Sequence, residues 1–442
     1  MTVDTTPAAA DNAGYPPRSQ AYYGMAAMML VTMFSILDRY IPAILVQPIR
    51  AELGITDTGI SFIQGWAFSL FYCLAGLPMG RLVDRSRRNR IIAAGAVVWS
   101  VATIACGFSQ GYWQLLVARM GVGIGEACLA PAAYSLIADY FQPNVRGRAI
   151  SIYYLSLTVG ASVSFLIGGL VLRLTTGMDG LTLPLVGTFA PWRLVFITVG
   201  VPGIPLALLM LSVREPRRQH GVRAAGLDGD PAFSRFLSVN RGPLSLIYLA
   251  YGAMTFATLC ALPWAPTLYL RRFGMPTSTS GVYIGIATLV GGVAGVLLSG
   301  ALSDRWRFAR WGGRFRVPAL AIACNLPVTL SYPVMPTAWS SITLLGLATA
   351  ISAFGTSSAA ATIQAVVPNT MRGQAMALFQ IIALLAGALA PTAVALTTDY
   401  VFHNDAALPA SLQLAPGILL VIALIAAAFG LRAYDRLRAS AG

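Results

Sequence analysis

The chain alternates between long apolar runs and short polar connections. Twelve runs of about 20 residues contain few charged positions, and this is the length that a helix needs to cross a hydrocarbon layer about 30 Å thick. The pattern therefore predicts twelve membrane-spanning helices, spans 1 to 12. They lie near residues 25–49, 59–80, 90–108, 112–138, 147–172, 190–213, 243–270, 280–302, 317–335, 339–366, 373–398 and 413–433.

Composition supports a helical membrane protein. Of the 442 residues, 57% are hydrophobic and 10% are charged, whereas a soluble domain carries about 25% charged residues. A membrane β-barrel is excluded because its strands are alternating segments of about 10 residues. The predicted fold class is an all-α membrane protein.

Several kinds of chemistry are excluded by residues that the sequence lacks. The chain contains no lysine, which a P-loop nucleotide site requires. Its five cysteines and two histidines show no metal-ligand spacing, and the spans contain no Ser-His-Asp set. We expect no metal, no cofactor and no enzymatic activity, so energy for any work must come from an ion or substrate gradient.

The basic residues behind the net charge of +14 are distributed according to the predicted topology of the chain. Of the 30 basic residues, 23 lie near the termini or in connections that follow even-numbered spans. This positive-inside bias predicts that both termini are cytoplasmic and that the arginines contact lipid headgroups, not nucleic acid. The N-terminal segment lacks the features of a cleavable signal, and the arginine-only, alanine-rich composition favours a bacterial inner membrane.

An internal repeat divides the chain into two halves. Residues 76–88 (GLPMGRLVDRSRR) and 296–308 (VLLSGALSDRWRF) share four residues at an offset of 220, and PNVRGRA at 143–149 recurs as PNTMRGQA at 368–375. The four residues are Gly80, Leu82, Asp84 and Arg85 in the first copy and Gly300, Leu302, Asp304 and Arg305 in the second. The predicted organisation is a cytoplasmic tail at 1–22, a six-helix N-half at 23–213, a cytoplasmic linker at 214–241, a six-helix C-half at 242–434 and a cytoplasmic tail at 435–442.

Two parallel six-helix halves with this duplicated loop motif resemble the major facilitator superfamily. In such a fold the substrate lies between the halves at the membrane midplane, and the halves rock to give alternating access. The resemblance implies a gate in which small residues let helices approach and acidic residues accept hydrogen bonds at a helix junction. The expected gating residues are Gly80, Asp84, Arg85, Arg146, Gly300, Asp304, Arg305 and Arg372.

Charged residues inside the spans predict a functional site. Asp38 and Arg39 lie deep in span 1, and Arg119 and Glu126 lie deep in span 4. A charge at mid-bilayer costs about 2.5–3.5 kcal/mol or more, so we expect the four side chains to face one another and the cavity between the halves. The alternative is a buried ion-pair cluster that only fixes helix packing, although such clusters stabilise proteins weakly.

The C-half has no acidic counterpart of this cluster. The positions 220 residues after Asp38 and Glu126 are Thr258 and Gly346. Pro263 and Pro266 are expected to distort span 7. The uncharged candidates for substrate binding in this half are Trp264, Tyr269, Gln364 and Phe379, which join Arg39 and Arg119 in the predicted binding site.

Further stretches resemble the Spinster family within that superfamily. They are LDRY in span 1, RMGVGIGEACLAPAAYSLIADYF in span 4 and VREPRR after span 6. The resemblance implies proton-linked transport of a lysophospholipid or a sphingolipid phosphate. It also implies that Asp38 and Glu126 are the protonation sites and that Arg119 belongs to the polar site.

The combined hypothesis is a monomeric, proton-coupled secondary transporter of an amphipathic, anionic or zwitterionic solute, embedded in membrane lipid. One alternative with the same fold is a proton-coupled exporter of small organic anions or drugs. Another, of a different class, is an uncoupled lipid scramblase. A response of flux to an imposed pH gradient separates coupled transport from scrambling, and competition by lysolipids separates the first two.

Overall fold

The computed structural model describes residues 15–176, 181–183, 187–218, 231–306, 315–368 and 371–441. Twelve of its helical segments are long and apolar enough to cross a membrane. The prediction of an all-α membrane architecture with twelve spans is therefore confirmed. The protein is an integral, multi-pass membrane protein.

The spans of the N-half follow the predicted order, and spans 4 and 6 are each interrupted by a turn. Spans 1 to 6 are formed by Arg18–Tyr40 with the 3-10 turn Ile41–Ala43; Asp57–Ser61, the π-helical turn Phe62–Trp66 and Ala67–Arg85; Arg88–Phe108; Tyr112–Glu126 and Leu129–Tyr140; Pro143–Thr176; and Pro191–Gly200 and Gly203–Ser212. Span 1 begins inside the segment that was expected to be a tail.

The spans of the C-half repeat this arrangement. Spans 7 to 12 are formed by Arg241–Ala261, the 3-10 turn Leu262–Trp264 and Ala265–Phe273; Thr277–Trp306; Arg316–Ser331 with Tyr332–Val334; Ala338–Ser357 and Ala359–Val366; Arg372–Leu396 with the π-helical turn Thr397–Val401; and Leu408–Ala441 after Asp405–Ala407. The 3-10 turn in span 7 confirms the distortion expected from its prolines. The last helix includes most of the predicted C-terminal tail.

Within the described residues, three short elements lie in the connections between spans. Helices Val46–Leu53 and Pro231–Val239 precede spans 2 and 7, and Leu181–Leu183 pairs antiparallel with Gly187–Phe189 between spans 5 and 6. The last of these is a small hairpin that the apolar pattern did not predict. Residues 219–230 of the predicted linker lie outside the described residues, as do residues 1–14 of the N-terminal tail.

The two halves pack closely through glycines in the middle of the membrane. A Cβ atom on Gly285 of span 8 would lie 2.7 Å from the Ser162 carbonyl oxygen of span 5. A Cβ atom on Gly65 of span 2 would lie 2.5 Å from the Ala388 carbonyl oxygen of span 11. Any side chain at these positions would push the halves apart, as is typical of small-residue contacts between membrane helices.

Ion pairs join the halves at one surface of the molecule. We call the surface with the connections after odd-numbered spans the opposite face, and the surface with both ends of the described chain the terminal face. At the opposite face Arg271 of the C-half donates to both carboxylate oxygens of Asp57 at 2.6 and 2.7 Å. Arg50 of the N-half donates to Asp405 at 2.9 Å, and Asp399 accepts from the Thr58 amide and hydroxyl at 2.7 Å each. These contacts close the opposite face.

Loss of the Arg271–Asp57 contact is expected to loosen this closure. The Arg271→Gln variant should increase labelling of Ser61→Cys, a buried position beneath the ion pairs, by a membrane-impermeant maleimide added from the opposite face. We expect about a ten-fold higher rate, equivalent to about 1.4 kcal/mol of lost closure. The measurement uses a background without the native cysteines.

A neighbouring arginine provides the matched control. Arg272 donates to the carbonyl oxygens of Val334 and Met335 within its own half, so Arg272→Gln should leave the labelling rate unchanged. Equal labelling in both variants would show that the ion pairs between the halves do not hold the opposite face closed.

Candidate functional site

A cavity of about 620 Å³ lies between the two halves near the middle of the membrane. Its two walls differ in chemistry. The N-half wall is polar and aromatic and includes Thr32, Ser35, Arg39, Tyr40, Gln64, Phe68, Tyr72, Glu126, Tyr134, Tyr153 and Tyr154. The C-half wall is mainly apolar and includes Leu259, Pro263, Gln380, Ile381, Ala383, Leu384, Gly387 and Pro391. The size is typical of a pocket for one amphipathic small molecule.

The carboxylate of Glu126 faces this cavity because span 4 breaks after it. Glu126 is the last residue of one helix, and the next begins at Leu129. Pro131 explains the break, since a proline removes a helical hydrogen bond and its ring collides with the carbonyl group four residues earlier. Glu126 Oε2 accepts a hydrogen bond from Arg39 Nη2 at 3.1 Å. We call Arg39 and Glu126 the cavity pair.

The guanidinium of Arg39 remains accessible although its partner is buried. The Arg39 side chain is 32% exposed, whereas that of Glu126 is 1% exposed. Arg39 Cζ lies 4.3 Å from the ring centroid of Phe68 and 5.5 Å from that of Tyr72. These distances allow cation–π attraction. A guanidinium has five N–H donors, so the cavity pair leaves several of them available to a ligand.

A second pair lies behind the cavity wall. Arg119 Nη1 donates to the main-chain oxygen of Asp38 at 3.1 Å, and Asp38 Oδ2 accepts from Thr103 at 3.2 Å. Both charged side chains are buried, and neither lines the cavity. The ring of Phe68 contacts both arginines, since Arg119 Cζ lies 5.9 Å from its centroid. We call Asp38 and Arg119 the buried pair.

The buried pair contains unused hydrogen-bonding groups. Asp38 Oδ1 and the Nε and Nη2 atoms of Arg119 have no hydrogen-bond partner within the described residues. The same residues provide no carboxylate oxygen within 4.0 Å of Arg119. Such unpaired buried groups are costly, so this arrangement favours a second state in which they find partners.

The structure brings the four predicted charges into one cluster, but only the cavity pair reaches the cavity. The C-half candidates lie elsewhere. Trp264 is fully buried and donates to the Pro391 carbonyl oxygen at 3.0 Å, and Tyr269 accepts a hydrogen bond from Ser341 at 3.2 Å. Phe379 packs against Tyr251 with ring centroids 6.0 Å apart. None of these three side chains lines the cavity, and that of Gln364 lies outside the described residues.

Sequence reasoning missed most of the aromatic wall. Gln64, Phe68, Tyr72 and Gly76 all line the cavity from span 2. Residues four apart share one face of a helix, so this stripe was detectable from its spacing. The rest of the aromatic wall could not be detected from spacing. Tyr134 of span 4 and Tyr153 of span 5, whose ring centroids are 5.6 Å apart, come together only in the folded chain.

Comparison with known proteins identifies the family. A family model described as Major Facilitator Superfamily matches residues 28–391. The chain belongs to the major facilitator superfamily. It is therefore a membrane transporter and not an enzyme, since proteins of this superfamily carry small-molecule substrates.

Individual relatives in the superfamily confirm the resemblance to Spinster transporters. An MFS-type efflux pump of Mycolicibacterium smegmatis is 30% identical over 390 residues, which cover 87% of this chain and 85% of that protein. Human protein spinster homolog 1 is 29% identical over 301 residues, which cover 64% of this chain and 54% of the human protein. A crystal structure of a bacterial homolog of the human lysosomal transporter Spinster, inward-facing and unoccupied, has a TM-score of 0.76 at 23% identity and covers 96% of this chain and 98% of that one.

The first copy of the superfamily loop motif is not engaged at the terminal face. The side chain of Asp84 is exposed, and its main-chain oxygen accepts from Arg218. A Cβ atom on Gly80 would have no neighbour within 4 Å. The close helix approach expected at Gly80 is therefore wrong for this conformation, because the helix that would meet it lies too far away.

The remaining predicted gating residues are only partly described. Arg85 is exposed, and Arg146 donates to the Ala138 carbonyl oxygen at 2.8 Å. The surroundings of Gly300 and the side chains of Asp304, Arg305 and Arg372 are not among the described parts of the structure. The proposed role of the second motif copy stays a prediction.

A different arginine fixes the terminal face of the N-half. Arg88 is 1% exposed and forms ion pairs with Asp139 of span 4 and with Glu215 after span 6, the latter at 2.6 Å. It also donates to the Ser135 carbonyl and hydroxyl oxygens. Sequence reasoning placed Arg88 among the topology arginines. The contacts instead join spans 3, 4 and 6.

Asp139 and Asp84 differ in how strongly their loss should affect stability. Asp139→Asn leaves the buried Arg88 less compensated, and loss of one partner of a buried pair destabilises strongly. We expect the apparent melting temperature of the purified protein to fall by about 5 °C. Asp84→Asn, at an exposed carboxylate, should change it by less than about 1 °C. Equal shifts in a thermal unfolding assay would contradict these assignments.

Proposed function

We propose that the protein is a proton-coupled transporter of an amphipathic solute with an anionic or zwitterionic head, of the lysolipid or sphingolipid-phosphate class, that works by alternating access. The observation that carries the proposal is the cavity pair facing an apolar wall. Arg39 and Glu126 offer one accessible cation and one buried acid on the N-half. The C-half wall opposite them is mainly hydrocarbon.

The head of the solute is assigned to Arg39. An arginine binds carboxylate or phosphate oxygens with paired, charge-assisted hydrogen bonds, and this guanidinium has free donors at the cavity surface. The tail is assigned to the wall around Leu259, Ile381 and Leu384. A tail that comes from lipid gains little of the about 25 cal/mol per Å² available for burial from water, so contacts with the head decide affinity.

Proton coupling follows from competition for Arg39. An ionised Glu126 and an anionic head are alternative partners of the same cation. When Glu126 takes up a proton, Arg39 loses its acidic partner and can bind the head more tightly. This linkage favours binding of proton and anion together, whereas an antiporter would need protonation to close the site against substrate.

Asp38 is proposed as the second protonation site. It is buried and does not line the cavity, so a proton reaches it only when a neighbouring side chain or helix moves. Its unpaired Oδ1 and the unpaired nitrogens of Arg119 are groups that a second conformation would satisfy.

The conformation supports alternating access. The opposite face is closed by ion pairs, and the first copy of the loop motif, at the terminal face, is disengaged. With cytoplasmic termini, as the arginine distribution predicts, this is an inward-facing state. Outward opening would break the Arg271–Asp57 and Arg50–Asp405 contacts and engage Gly80 and the adjoining motif residues.

A second candidate function is proton-coupled export of small organic anions or drugs. The observation that favours it is the 30% identity to a mycobacterial efflux pump over most of both chains. The two proposals differ in whether a long apolar tail is needed for binding. An uncoupled scramblase would retain the cavity but would show no response to a proton gradient.

Removal of either acid is expected to abolish coupling. In proteoliposomes, uptake of a fluorescent lysophospholipid, read by back-extraction with albumin, should respond to an imposed pH gradient. Glu126→Gln and Asp38→Asn should each reduce this response about ten-fold or more, since one functional interaction is worth at least about 1.4 kcal/mol.

Glu52→Gln is the control for this experiment, because Glu52 pairs with Arg193 at the opposite face, away from the cavity. It should leave the response intact. Full gradient dependence in the double variant Asp38→Asn/Glu126→Gln would reject proton carriage by these acids and leave the cluster as a packing device.

Removal of the cavity cation is expected to weaken head recognition. Arg39→Ala should reduce the affinity for a lysophospholipid with a phosphate head about ten-fold or more, since hydrogen bonds to charged groups contribute about 1.5–3 kcal/mol. Binding is measured by a thermal-shift titration of the purified protein at two pH values.

Two ligands control this titration. A long-chain alcohol that lacks the phosphate should bind the wild type and Arg39→Ala equally. Glycerol phosphate, which lacks the chain, should bind weakly to both. Strong binding of the chain-free anion would instead favour the small-anion exporter, and unchanged phosphate affinity in Arg39→Ala would reject the proposed head site.

A further inference from the structure

A second concave surface lies on the outside of the N-half, away from the transport cavity. It is a groove of about 400 Å³ between spans 2 and 3, with span 4 as its floor. We call it the outer groove. It shares no residue with the cavity between the halves. The lining residues are Met79, Leu82, Ser86, Arg87, Arg90, Ile91, Ala94, Gly95, Val98, Ile124, Gly125 and Cys128.

One end of the outer groove is polar and positively charged. Ser86, Arg87 and Arg90 lie at the terminal face, where span 2 ends and span 3 begins. Both arginine side chains are exposed. Within the described residues neither guanidinium has an acceptor, in contrast to Arg88 between them, which is buried in ion pairs.

The rest of the outer groove is apolar and faces the hydrocarbon. Leu82 and Val98 are 45% and 46% exposed. The backbones of spans 3 and 4 approach each other closely at the floor of the groove. A Cβ atom on Gly95 would lie 2.6 Å from the Gly125 carbonyl oxygen. Span 3 rises about 15 Å between Arg88 and Val98, at about 1.5 Å per residue. This is half of a hydrocarbon layer about 30 Å thick, which is the depth of one leaflet.

We propose that the outer groove binds one anionic glycerophospholipid from the leaflet at the terminal face. The phosphate lies between Arg87 and Arg90 and accepts hydrogen bonds from them. One acyl chain follows the groove past Leu82 and Ala94 to Val98. The charge at one end and the one-leaflet length of the apolar part match this occupant, whereas a wholly apolar helix of another protein would leave the two arginines unpaired.

The test is native mass spectrometry of the full chain, released from detergent with phosphatidylglycerol or phosphatidylcholine added. Each arginine near an anionic lipid surface increases the binding affinity about five-fold. The double variant Arg87→Gln/Arg90→Gln should therefore bind phosphatidylglycerol about 30-fold more weakly. Val98→Trp should weaken binding of both lipids, because the indole fills the chain path.

Two exposed positions outside the groove are the matched controls. Arg148 lies at the same face on span 5, and Val101 lies one turn beyond Val98 on span 3. Arg148→Gln and Val101→Trp should leave lipid binding unchanged. Losses in these controls equal to those in the groove variants would overturn the proposal, since they would indicate a general charge or surface effect.

Three other results would also overturn it. They are unchanged lipid binding in the groove variants, equally tight binding of glycerol phosphate without acyl chains, and a dimer that Val98→Trp dissociates. The last would make a second copy of the chain the occupant. The proposal does not depend on the transport function, because Glu126→Gln should leave phosphatidylglycerol binding intact even if it abolishes coupling.

Discussion

The ion pair between Arg39 and Glu126 is the interaction on which the functional structure depends. Each charge alone would cost about 2.5–3.5 kcal/mol or more at this depth, and together they share a hydrogen bond of 3.1 Å beside the rings of Phe68 and Tyr72. The break in span 4 directs the acid toward the cavity. Because the two charges compensate each other and Arg39 is 32% exposed, a proton on Glu126 and an anion on Arg39 can together replace the pair without leaving an unpaired charge in the membrane.

The repeat has kept the fold in both halves while the chemistry has diverged. In the N-half, Asp38 of span 1 contacts Thr103 of span 3 and Arg119 of span 4. In the C-half, Thr258 of span 7 donates to Ser352 of span 10 at 3.1 Å, and Asn325 of span 9 donates to the same hydroxyl at 3.1 Å. The corresponding spans are thus joined by a neutral network. Among the residues that line the cavity, charge is confined to the N-half, which leaves the C-half wall mainly hydrocarbon and accounts for the amphipathic cavity.

The twelve spans and the proximity of the four charges within them could be predicted from sequence, because apolar length and the cost of a buried charge leave a strong signal. The direction in which each side chain points could not be predicted. Arg87, Arg88 and Arg90 are equivalent in the sequence, yet only Arg88 is buried, since Asp139 and Glu215 reach it from distant spans. Likewise the sequence predicted Trp264 to be a cavity residue, but the orientation of span 7 directs its side chain to the Pro391 carbonyl oxygen.

The central claim is that Glu126 and the solute head compete for Arg39, and proton linkage tests it most directly. Calorimetric binding of a lysophospholipid phosphate in buffers of different ionisation enthalpy measures the protons exchanged with solvent. The account predicts net uptake of up to about one proton per ligand by the wild type, and none by Glu126→Gln, because binding energy and protonation are reciprocally linked. No proton exchange by the wild type, or the same uptake by the variant, would contradict it.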